Sequence, residues 1–135
     1  MKPSLQPGVA ATVRVAVDRE RTIDFMGDRA RVYATPALLR DIELACRELL
    51  LAHLDAGEDS VGTRVELDHT GATLMGMTVE LQLAIAEVQG RSVSFDVSGS
   101  DGIDAICRCR HQRFVVDVAK TEQRLAAKAQ KAGLT

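Results

Sequence analysis

Apolar and polar residues alternate along some stretches of this chain and recur every three or four positions along another, and the two periods divide it into elements. Val13, Val15 and Val17 alternate with Arg14, Ala16 and Asp18, which predicts a short strand with one apolar face. A polar connection runs from Arg19 to Arg31. Thr35 then stands before Pro36, a pairing that predicts an N-cap followed by proline at the first helical position, and His53 to Gly57 supplies the stop. Between those signals lies a helix of about five turns. Downstream, Val61 to Thr70, Thr78 to Val88, Arg91 to Gly99 and Ile103 to Val118 are rich in β-formers and separated by glycine-containing turns. Consecutive strands joined by such short turns pair antiparallel, because parallel neighbours need long crossovers. Ala119 to Ala132, rich in Ala, Lys and Gln, predicts a polar C-terminal helix or tail.

One long helix and one sheet make an α+β layer, because the helix must bury its apolar stripe against one sheet face. With Leu39 set to zero and 100° per residue, Leu38, Ile42, Ala45, Cys46, Leu49, Leu50 and His53 fall within an arc of roughly 140°. That stripe is the expected sheet-facing side. Leu44 and Leu51 form a second patch at roughly 120 to 140°, which predicts coverage by a partner subunit or a ligand.

Composition narrows the function classes. At 135 residues the chain fits one domain, 1–135, with 119–135 as its polar appendage. Seventeen basic residues against nineteen acidic leave a formal charge of −2 with no basic block, which argues against nucleic acid. Aromatics are 3%, namely Phe25, Tyr33, Phe95 and Phe114, too few for a base-stacking platform. Met1 to Gly8 carry no apolar run of a signal peptide, and no stretch approaches the roughly 20 apolar residues of a membrane span, so a cytoplasmic protein without a membrane is expected. Three cysteines, an odd number, read as reduced thiols.

Two polar residues stand where apolar ones are expected. Glu43 lies at about 40° on the wheel, at the margin of the buried stripe. Either it turns outward to Arg40 or Arg47, or it is partly desolvated and poised as a base or nucleophile. His69 shares strand parity with Val65 and Leu67 and so points to the face they bury. Alone it reads as a core histidine; beside Glu43 it would complete an acid/base couple. Cys107, Cys109 and His111 also share one strand face, but same-side residues on a strand splay rather than converge, so no metal site is expected.

Thr35 with Glu43 eight positions on, Ser60-Val61-Gly62-Thr63, His69-Thr70-Gly71-Ala72-Thr73 and Gly76-Met77-Thr78-Val79 together resemble the hot-dog-fold thioesterases, in the branch containing fluoroacetyl-CoA thioesterase. The likeness continues through Gln89-Gly90-Arg91, Ser100-Asp101-Gly102 and His111-Gln112-Arg113. It implies a long central helix wrapped by a curved antiparallel sheet of about five strands, in a homodimer or dimer of dimers with acyl-CoA sites at the interface. It implies Thr35, Glu43 and His69 as the catalytic set, Gly62 near the thioester and Arg113 near the substrate. Coenzyme A would enter as part of the substrate, with no separate cofactor. The connection before the helix is shorter than in the fluoroacetyl specialist and offers only Phe25, Met26 and Tyr33, so a short or medium acyl-CoA is the expected substrate. The competing expectations are a non-catalytic hot-dog protein that binds acyl-CoA or a small apolar ligand, and a hot-dog dehydratase.

Overall fold

Valine, isoleucine and leucine at alternate positions build five strands whose apolar sides face a single long helix, as a computed structural model describing residues 1–134 shows. The strands are β1 (Ala10–Ala16), β4 (Glu58–His69), β5 (Thr78–Gln89), β6 (Ser92–Ser100) and β7 (Ala105–Asp117). They form one sheet in the order β1-β5-β6-β7-β4, with every pair antiparallel. The turns join β5, β6 and β7 as consecutive neighbours, as expected. The Gly71–Gly76 stretch does not: it carries the chain away from β4, which lies at the far edge beside β7. Turn composition predicts strand direction here and not strand adjacency.

The helix α1 (Thr35–Leu51) buries Leu38, Ile42, Ala45, Cys46 and Leu50 against that sheet. Each of its fully buried leucines and isoleucines contributes about 1.5–3 kcal/mol through removal from water. Asp41 is buried with them, which widens the enclosed arc beyond the apolar stripe. Of the second patch, Leu51 packs against the chain's own core and only Leu44 stays exposed. Thr35 is not the N-cap: Ala34 holds that place without a side-chain hydrogen bond, and Thr35 is already helical. Its hydroxyl is therefore available to another partner.

The Arg19–Arg31 connection has structure of its own. Two short 3-10 turns flank a ribbon of β2 (Thr22–Ile23) paired with β3 (Val32–Tyr33), which ends directly before α1. At the other end, α2 (Val118–Lys131) buries no residue, and the Asp117 side chain caps it by accepting from the Lys120 N–H. Among the described residues no helix is long and apolar enough to cross a membrane.

The strand β4 carries one extra residue. Gly62 pairs with Arg113 and Arg64 with Gln112, leaving Thr63 unopposed as a β-bulge. Side chains alternate faces along a strand, so this single insertion switches the phase. Ser60 and Gly62 before the bulge, and Val65, Leu67 and His69 after it, all turn to the α1 side, opposite Val115, Arg113, His111, Cys109 and Cys107.

Candidate active site

Where the start of α1 passes the end of β4, the Thr35 hydroxyl meets His69 Nδ1 at 2.8 Å. His69 is half-buried, and its other ring nitrogen, Nε2, is shielded from solvent with no hydrogen-bond partner. Burial pushes the imidazole below its ordinary value; the Gly71 backbone opposes this, although no hydrogen bond closes on Nε2. At neutral pH the ring is uncharged. It carries one proton, which sits on Nε2 when the threonine hydroxyl donates to Nδ1.

Two turns along the same helix, Glu43 reaches over β4. It pairs with neither Arg40 nor Arg47; the latter is taken by Asp59, at 2.7 Å. Its partner is Arg113, 3.4 Å away across the sheet, a guanidinium only 4% exposed, while the Glu43 side chain remains 47% exposed. The carboxylate rests in the gap left by Gly62, where an added Cβ would collide with Glu43 Oε2 and come within 3.2 Å of His111 Cε1. Gly62 is both the residue before the bulge and the floor beneath the carboxylate.

Arg113 is fully engaged. Nε donates to Ser60 Oγ at 2.8 Å, Nη2 to the Ser60 carbonyl at 2.9 Å, and Nη1 faces both His111 Nε2 at 3.1 Å and Glu43. A guanidinium can only donate, so His111 Nε2 must accept. Nδ1 of His111 then holds the ring's proton and donates to the Arg64 carbonyl at 2.9 Å, beside the bulge. Burial foremost keeps His111 below the usual imidazole range, and the adjacent Arg113 charge adds to this. The expected substrate-binding arginine thus spends its hydrogen bonds inside the protein, next to Glu43.

The structure therefore brings Thr35 to His69, and Glu43 to Arg113 and Gly62, as two separate clusters. Eight residues along a helix is about 12 Å, and neither Thr35 nor His69 bonds to Glu43 within the described residues. His111, Ser60, Tyr33 and Asp41 were not singled out as site residues from the sequence. Asp41 gave no clear signal: it sits at about 200° on the wheel, next to Glu48 at about 180°, on the polar side of Ala45. The three cysteines are free and buried, and burial pushes the Cys46 thiol up to about 12 and the Cys109 thiol up to about 11. Among the described residues no three His, Cys, Asp or Glu side chains gather as metal ligands.

Known proteins share this architecture. A family model described as fluoroacetyl-CoA-specific thioesterase matches residues 17–119. The fluoroacetyl-CoA thioesterase of Streptantibioticus cattleyicolor is 35% identical over 97 residues, which is 72% of this chain and 70% of that protein. A crystal structure of a mutant of a fluoroacetyl-CoA-specific thioesterase has a TM-score of 0.85 at 29% identity, covering 94% of this chain and 99% of that one. A hypothetical protein of Thermus thermophilus, described as a thioesterase superfamily member, reaches a TM-score of 0.88 at 26% identity, covering 98% and 99%.

Proposed function

The chain belongs to the fluoroacetyl-CoA-specific thioesterase family, and from that premise we propose how it hydrolyses an acyl-CoA thioester. The observation that carries the reading is the Thr35–His69 hydrogen bond, which leaves a buried, unpartnered Nε2 on a neutral ring. With the Thr35 hydroxyl donating to Nδ1, the Nε2–H is a donor aimed at the thioester carbonyl oxygen. Glu43 is the base: it takes a proton from water as the oxygen adds to the carbonyl carbon, and the negative charge moves onto the carbonyl oxygen. Collapse of that adduct breaks the carbon–sulfur bond, and the proton returns to the departing CoA thiolate. Alternatively Glu43 attacks directly and its acyl anhydride is hydrolysed in a second step; oxygen from isotopically labelled water found in the Glu43 carboxylate, and not only in the released acid, distinguishes the two. Arg113 fixes Glu43 over Gly62. Hydrolysis consumes only water, so no cofactor is required.

The two clusters meet when a second copy is added. The outer side of β4 is an open sheet edge twelve residues long, with Val61 and Val65 exposed along it. Antiparallel two-fold pairing of this edge with its copy, centred near Val65 and Glu66, would place Gly62 of one protomer opposite His69 of its partner. Each site would then take Thr35 and His69 from one chain and Glu43, Gly62 and Arg113 from the other. The unit is a homodimer of single hot-dog domains, and its three free thiols suit the reducing cytoplasm.

The acyl group is short or medium. Phe25 and Met26 on the ribbon are 85% and 68% exposed, leaving Tyr33 as the aromatic beside His69. Hydrolysis of fluoroacetyl-, acetyl-, butyryl- and octanoyl-CoA, followed as loss of thioester absorbance, tests the reading. Turnover of the shorter substrates, lowered at least a hundredfold by Glu43→Gln in a protein that unfolds normally, is the expected result. Unchanged turnover in that variant would remove Glu43 from the mechanism.

A further inference from the structure

Behind His69 lies a row of polar side chains that the hydrolytic steps above do not use. Tyr33 is 1% exposed, and its ring meets the His69 imidazole edge-on, with centroids 6.4 Å apart and planes at 78°. The Tyr33 hydroxyl donates to Asp41 Oδ2 at 2.5 Å. Arg21 closes on the same carboxylate as a fork, Nε to Oδ2 at 2.9 Å and Nη2 to Oδ1 at 3.2 Å, and its Nη1 donates to Asp18 at 2.8 Å. The backbone holds these residues too: the Tyr33 N–H donates to the Thr73 carbonyl, and the Ala34 N–H to the Arg21 carbonyl, both at 2.8 Å.

Packing alone does not call for this arrangement. Phenylalanine at position 33 and an aliphatic residue at 41 would fill similar volume without burying a carboxylate, and buried ion pairs are often no more stabilising than apolar replacements. What the polar version adds is direction. A phenol anchored at its oxygen by a carboxylate, itself gripped by a bidentate guanidinium, cannot slide or tilt as a free ring can. Burial first, and then the Asp41 carboxylate, hold the Tyr33 phenol well above its ordinary value, so it stays a donor across the working range. The row starts at Arg21 in the 3-10 turn before β2, crosses α1 at Asp41, passes to Tyr33 on β3 and ends against the His69 ring.

We propose that Tyr33 is a positioning residue for His69, held in place by Asp41 and Arg21, and that this row keeps Nδ1 on Thr35 and Nε2 turned to the thioester. The inference rests on His69 taking part in hydrolysis. None of the three residues touches the substrate; each acts through the orientation of one imidazole.

The test compares wild type with Tyr33→Phe, Asp41→Asn, their double variant and His69→Asn, measuring kcat and KM on acetyl-CoA and nitrogen chemical shifts of the labelled imidazoles. Tyr33→Phe keeps the ring and removes the anchor; it should lower kcat about tenfold and change KM less than about twofold. The double variant should be no slower than the slower single one, because both changes cut one link. In wild type His69 should show one tautomer, and in Tyr33→Phe an average of two. If Asp41→Asn fails to fold, Tyr33→Phe still decides. A folded Tyr33→Phe with wild-type kcat and a single His69 tautomer, beside an inactive His69→Asn, overturns the positioning role alone. An active His69→Asn overturns the hydrolytic role of His69 on which it rests.

Discussion

Gly62 shows how much one missing side chain can decide. The hard clash created by a Cβ there is with the end of the Glu43 side chain, which can swing away, while the buried His111 ring at 3.2 Å need give by only a few tenths of an ångström, so the fold loses less than the site. Gly62→Ala should therefore reduce turnover about tenfold or more while changing unfolding free energy by less than about 1 kcal/mol, read by thioester hydrolysis and urea unfolding on one preparation. His111 makes the opposite kind of claim, on stability. Its folded value lies below the unfolded imidazole value of about 6.5, so the unfolded chain binds the proton first as pH falls. The stability that neutral His111 supplies is complete above about pH 6.5 and is lost as pH drops through the depressed folded value. His69 has the same sign. Urea midpoints measured from pH 7.5 to 5 should fall, and His111→Gln should flatten part of that slope. At this scale the sequence was readable where a polar residue broke an apolar period: His69 by strand parity, Glu43 by its place on the wheel. The partners of Glu43 were not readable, because Arg113 reaches it from a strand seventy residues away and the nearer Arg47 is diverted to Asp59.

Among the elements, α1 and the buried face of each strand follow from periodicity, since apolar burial dictates both, and the antiparallel direction follows from the short turns. The order of strands does not, because the edge position of β4 depends on pairing with β7, a long-range choice that no local turn encodes. The helix start gives a sharper lesson. Thr35-Pro36 has the composition of a cap, yet Ala34 occupies the cap and the threonine hydroxyl belongs to His69. A true threonine cap is worth about 1 kcal/mol. Thr35→Ala should instead leave the unfolding midpoint almost unmoved, because alanine suits a helical position and no cap is lost, while hydrolysis falls sharply. Thr35→Ser, which retains the hydroxyl, should keep most of the activity. Equal stability losses in both variants, without loss of rate, would return Thr35 to a purely structural role.

For the whole molecule, the two clusters on one chain make a definite claim about assembly. Glu43→Gln and His69→Asn are each expected to be inactive alone. Unfolded, mixed in equal amounts and refolded together, they should recover about a quarter of wild-type activity, since half of the dimers are mixed and each mixed dimer has one intact site. No recovery would show that each chain builds its own site. Val65→Lys on the open edge should shift the protein towards monomer in sedimentation and lower activity with it. The bulge at Thr63 finally bears on inheritance. It works as a frameshift written in space: the inward positions are even-numbered up to Gly62 and odd-numbered from Val65, and the one extra residue between them absorbs the change. Without Thr63 the ladder with β7 would close unbroken, and Gly62 and His69 would both still face α1. A lineage of this chain could lose that residue through a single three-nucleotide deletion and still hold both clusters on one face of the sheet.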